Sequence, residues 1–238
     1  MSLWKKVRSA AGRLGLGRSA AEGSGVLDEL EKTSRIDPAS SQRRQVTFTI
    51  AVIALGAKMA KADGIVSTEE IDAFKEIFKV PASEMANVAR IFNMAKQDVA
   101  GFESYATQIA NILKDDRQLL EDVLHGLFYI ATADNVFHPG EETFLKEVAR
   151  RFAFFEHEYR QVRARFLPED KRDPYIVLGV ERTIDDGELK SHYRKLVVEN
   201  HPDKAIARGM PPEFVQIATT KLASINEAYE AIRKERSL

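Results

Sequence analysis

His201, Pro202 and Asp203 stand together at the end of the run LKSHYRKLVVENHPDKA, an imidazole and a carboxylate set two positions apart by a residue of fixed φ. Such a pair can exchange protons, cap a helix or grip a partner. No suitable nucleophile lies close to it in sequence, so nucleophilic catalysis is not what the spacing offers. Upstream, Lys190 and Arg194 fall one helical turn apart with Lys195 beside them, a small positive patch suited to an acidic partner. A patch of this kind steers encounter more than it sets affinity.

The elements that must present these groups are legible around them. Asp173-Pro174-Tyr175-Ile176-Val177-Leu178-Gly179 reads as a short helix, with proline in its first turn and Gly179 as its stop. A second helix is expected from about Asp185, where Asp185, Asp186 and Glu188 favour the positive end of the dipole. Leu189, Leu196 and Val197 mark its buried face, and Pro202 ends it at Asn200 or His201. A loop from 204 to 212, with Gly209 and two prolines, then turns the chain. The third helix, over about 213–234, carries Phe214, Ile217, Leu222, Ile225, Tyr229 and Ile232 on helical spacing. Two long antiparallel helices would present the tripeptide at an exposed tip. His201 and Asp203 have a second reading, as caps of the second helix.

The order DPYIVLGV, HYRKL, HPDK, INEAYEAI over about 173–235 resembles the J domain. The resemblance implies a partner, the ATPase domain of a DnaK-type chaperone, docking on Lys190, Tyr193, Arg194, Lys195, His201, Pro202, Asp203 and Lys204. Two positions depart from the family pattern: His192 stands where a small residue is usual, and Asn200 where an aromatic one is. Either change could alter local packing or partner choice.

At 238 residues with 44% hydrophobic content, the chain can build one large or two small cores. The net charge of −1 argues neither for nor against nucleic acid, and the absence of cysteine excludes disulfides and thiolate metal sites. The longest apolar stretch, 46–57, closes at Lys58, short of the roughly 20 residues that span a bilayer. No secretory signal is apparent at the start. A cytoplasmic location is expected.

Residues 1–44 read as a tail and linker. Its first 20 residues are basic, with Trp4, Lys5, Lys6 and Arg8 among apolar residues at helical spacing. That pattern fits a peripheral helix on an anionic membrane surface, and equally a disordered basic tail. With few basic residues and a lone tryptophan, no nucleic-acid partner is expected.

Residues 45–167 are helical by pattern, with candidate helices at 45–60, 68–79, 82–97, 101–114, 117–133, 141–152 and 156–166. Within them, Ala62-Asp63-Gly64-Ile65-Val66 is answered by Ala133-Asp134-Asn135-Val136-Phe137, each followed by a glutamate pair, Glu69-Glu70 and Glu141-Glu142. This repeat resembles the TerB-like domain of tellurite-resistance proteins and of DjlA-type J proteins. In that family the acidic turns have been regarded as a divalent-cation site, which would fall on Asp63, Glu69, Glu70, Asp134, Glu141 and Glu142 here. Oxygen-only ligands would suit calcium or magnesium. Plain helix capping by the same carboxylates is the other reading.

The expected fold class is all-α: a TerB-like helical bundle with an internal repeat (45–167), a linker (168–172) and a C-terminal J-domain helical hairpin (173–238). The combined order resembles DjlA-type co-chaperones. Those begin with a membrane-spanning segment where this chain has the basic tail, so membrane anchorage is not carried over. The expected function is that of a non-enzymatic co-chaperone without cofactor, acting on a DnaK-type chaperone, with an unknown client or location selected by the bundle. The alternative is a metal-responsive stress protein that uses the J-like part as an interaction module.

Overall fold

The computed structural model describes residues 41–62, 102–134, 137–168 and 172–238. The candidate helices at 68–79 and 82–97, Asp63, Glu69 and Glu70, and Trp4, Lys5, Lys6 and Arg8 lie outside the described residues. Every regular element among the described residues is helical.

Helix α1 (Ser41–Ala62) is the axis of the bundle. Phe48, Val52, Ile53, Leu55 and Met59 are all fully buried, and a helix apolar nearly all round must be enclosed by others. Helix α2 (Phe102–Ile112), helix α3 (Arg117–Ala131) and helix α4 (Pro139–Arg151) pack on it, and helix α5 (Glu156–Ala164) closes the bundle against α3. Local chemistry starts these helices where the sequence suggests. The Asp116 side chain accepts the Leu119 N–H at 3.0 Å, and Glu158 accepts the Phe155 N–H at 2.7 Å. No helix among the described residues is long and apolar enough to cross a membrane.

The C-terminal part begins with α6 (Pro174–Leu178), capped by Asp173, whose carboxylate accepts the Tyr175 N–H. Gly179 ends it at φ 71°, the left-handed conformation that costs an L side chain. Helix α7 (Asp186–Glu199) follows, its first N–H groups accepted by Asp185, and stops at Asn200 as Pro202 requires. Helix α9 (Val215–Arg236) packs against both α6 and α7. Their own small core is built from Tyr175, Val177, Leu178, Leu189, Ile225 and Ile232.

The expected loop at 204–212 is corrected by the structure. Residues Pro202–Arg208 form a further helix, α8, followed by a 3-10 turn at Pro212–Phe214. Pro202 occupies a first-turn position where its missing N–H does no harm, Lys204 to Arg208 contain no breaker, and the helix runs until Gly209. The reading of His201 as a cap of the second helix is corrected with it: His201 is the N-cap of α8.

The parts before and after 168–172 pack against each other. Ala205, Met210, Phe214, Ile217 and Ala218 belong to the same apolar cluster as Phe48, Val52, Leu127 and Phe128 of the bundle. Phe214 meets Phe48 edge to face, with ring centroids 4.9 Å apart.

Candidate partner-docking site around His201

The tripeptide sits at the junction of α7 and α8. His201 Nδ1 accepts the Asp203 backbone N–H at 3.2 Å. Accepting there places the ring's lone pair on Nδ1, so the neutral ring carries its proton on Nε2. The His201 side chain is 50% exposed and that of Asp203 87% exposed, so both present polar atoms to solvent.

Lys190, Arg194 and Lys195 are exposed along α7, where Lys190 and Arg194 share a face one turn apart, and Lys204 is exposed on α8. Lys195 lies 3.9 Å from Glu199, an exposed i,i+4 pair worth little. Tyr193 is set differently from the other docking residues. Its ring stacks on Tyr229 of α9 at 3.8 Å, nearly parallel, and its hydroxyl donates to Asn226 at 3.1 Å. It pins α7 to α9 as well as flanking the basic face.

Both departures from the J-domain pattern have structural partners. His192 Nε2 lies 2.8 Å from the Leu178 carbonyl oxygen, tying α7 to the end of α6. Asn200 is 5% exposed; its amide donates to the Leu196 carbonyl at 2.8 Å, and its oxygen accepts the Gln118 amide of α3 at 3.2 Å. An aromatic residue could not make that second bond.

Behind the tip lies a cluster of buried charge that sequence reading missed. Lys221 is 1% exposed, and its Nζ lies 3.0 Å from Asp122 and 3.0 Å from Glu121. Glu121 also pairs with Arg165 at 2.7 Å, and Arg208 Nη2 lies 3.5 Å from Asp122. Burial raises the Glu121 pKa, but Lys221 and Arg165 outweigh it and hold the carboxylate far below its usual range. Asp122 and Lys221 are 99 positions apart. Lys221 falls four positions from both Ile217 and Ile225, on the buried face of α9, so its burial had a local sign that its charge masked, whereas its partner had none.

The acidic residues of the second repeat are engaged in structure. Glu141 is buried and accepts the His138 N–H at 3.0 Å, which begins α4. Glu142 lies 3.2 Å from Arg163 and 3.4 Å from Lys146. Among the described residues no three His, Cys, Asp or Glu side chains, Asp134 included, gather as a metal-binding group.

Comparison with known proteins assigns both parts. The model of the tellurite resistance protein TerB matches residues 49–164, and that of the DnaJ domain matches residues 173–237. Co-chaperone protein DjlA of Coxiella burnetii is 30% identical over 218 residues, covering 83% of this chain and 80% of the relative. The DjlA proteins of Photobacterium profundum and Vibrio cholerae are 30% and 28% identical, over 83% and 84% of this chain and 81% and 82% of their own lengths. No solved structure matches the chain. With a TerB domain followed by a J domain whose His-Pro-Asp tip is exposed beside a basic helix face, the chain belongs to the DjlA family of co-chaperones.

Proposed function

We propose that this chain is a non-enzymatic co-chaperone that docks on the ATPase domain of a DnaK-type chaperone and stimulates its ATP hydrolysis. The supporting observation is the exposed His201-Pro202-Asp203 tip beside Lys190, Arg194 and Lys195, in a chain of the DjlA family. The partner supplies every group that acts on ATP. The tip accelerates hydrolysis by binding the hydrolysis-competent arrangement of that partner more tightly than the resting one. The bundle selects the client or the location. The site of action is the cytoplasm, where an ATP-dependent partner finds its nucleotide.

His201→Gln is the direct test. Glutamine can still accept the Asp203 N–H, so the fold should hold, with circular dichroism and unfolding midpoint unchanged. Steady-state ATP turnover by a DnaK-type chaperone should lose its stimulation at every concentration of the variant. Turnover equal to that with the parent chain would remove the assignment.

A further inference from the structure

The tip is braced from behind by the bundle rather than by the J domain's own core. That core is centred on Tyr175, Leu189 and Ile232 toward the far end of the hairpin; of α7 it buries Leu189 fully and takes Tyr193 and Leu196 only in part. The residues that close the tip end, Met210, Phe214 and Ile217 among them, are buried in the bundle's cluster.

Polar contacts form a circuit around the two residues preceding His201. Gln118 on α3 donates to Asn200 at 3.2 Å and to Glu121 at 3.3 Å. Glu121 and Asp122 both hold Lys221 of α9 at 3.0 Å, and Asp122 faces Arg208 of α8. Arg208 returns to the chain by donating to the Glu199 carbonyl at 2.9 Å. Swinging the tip away would break the Gln118–Asn200 bond and take Arg208 from Asp122, and lifting the start of α9 with it would also part Lys221 from Asp122 and Glu121, which is strongly disfavoured for a buried pair. The front of the tip stays open, since His201 and Asp203 are exposed.

From this we propose that Gln118, Asp122 and Lys221 are positioning residues: through them the TerB-like bundle fixes the orientation of the His-Pro-Asp tip for its partner. This rests on the function proposed above. A partner that meets a tip already ordered has no ordering cost to offset, and a tip that is competent only part of the time weakens apparent affinity by that fraction.

The test uses the full chain in two measurements. In the first, Lys221→Met and Gln118→Ala are titrated against the ATPase of a DnaK-type chaperone. Each should raise the half-maximal concentration by about fivefold or more while the rate at saturation stays within about twofold. His201→Gln should instead lose the saturating rate, so the split separates positioning from contact. In the second, spin labels are placed on Lys114→Cys and Ala207→Cys, both exposed, in a chain with no other cysteine. The parent should give one narrow distance between bundle and α8, and the variants a broadened one.

If Lys221→Met does not fold, Gln118→Ala, at the rim of the contact, carries both measurements. A broad distance in the parent would overturn the bracing. Unchanged half-maximal concentrations against a stimulating parent would overturn the positioning role alone, and a parent that stimulates nothing would overturn the functional reading beneath it.

Discussion

His125 lies on α3, fully buried, its ring nitrogens finding no hydrogen-bond partner among the described residues and its ring centroid 4.5 Å from that of Phe166. Burial, then the charges of Arg165 and Lys221, hold it well below the ordinary histidine value, with Glu121 acting in the opposite sense. Its native form is therefore neutral, whereas the unfolded chain takes up a proton near about pH 6.5. Above that pH the two states bind the same number of protons at this site. Below it the unfolded state binds more, so stability should fall as the medium is acidified, by up to about 1.4 kcal/mol per pH unit until the native ring itself titrates. Urea unfolding at pH 7.5, 6.5 and 5.5 should show this slope, and His125→Leu should flatten it. Equal slopes for parent and variant would show that other groups carry the dependence. In sequence this histidine is one of five and carries no mark of its burial.

Helix starts and stops are where sequence and structure agree best, because caps act within a few residues. Asp116, Asp173 and Asp185 each accept a nearby backbone N–H, as their type and position suggest. Helix α8 escaped because Pro202 and Gly209 read as loop punctuation, whereas they are its first residue and its C-cap. Gly179 combines a local and a tertiary requirement. Its φ is +71°, and a Cβ there would stand 2.6 Å from Nε2 of Gln161, whose amide donates to the Val177 carbonyl. Gly179→Ala should cost about 1–2 kcal/mol from backbone conformation alone, with the displaced Gln161 adding to it. Denaturant unfolding checks this; a loss under about 0.5 kcal/mol would mean the turn relaxes.

The start of α9 is built into the bundle's interior, while the rest of the hairpin keeps a small core of its own. On α3, Asp122, His125 and Gly126 are buried along with the apolar residues, since the helix lies between the bundle and α9. A Cβ at Gly126 would be 2.9 Å from Ile217 Cδ1 and 3.7 Å from Val52 Cγ1, so glycine is what lets α9 approach so closely. Residues of α9 and α3 that pack in one cluster are expected to open together. Native-state hydrogen exchange should therefore give the amides of Ile217 and Ala218 in α9 the same opening free energy as those of Leu124 and Leu127 in α3. Exchange faster by tenfold or more in α9 alone, a difference of about 1.4 kcal/mol, would mean that the hairpin opens by itself.

Patterning along the chain was enough to define an all-helical protein, the order of its described helices apart from α8, the tip with His201 and Asp203 exposed, and the basic residues along α7. Each depends on side-chain period, caps and punctuation acting over a few positions. The burial of Lys221 against Asp122 and the bond from Gln118 to Asn200 depend on residues some 80 to 100 positions apart meeting in space, and the seating of Phe214 in the bundle's cluster joins residues still further apart. Lys221 stands in the apolar register of α9, but nothing local names the carboxylate that it meets. Packing of α9 onto α3 removed the water, and that made these charges partners and placed the bundle behind the tip.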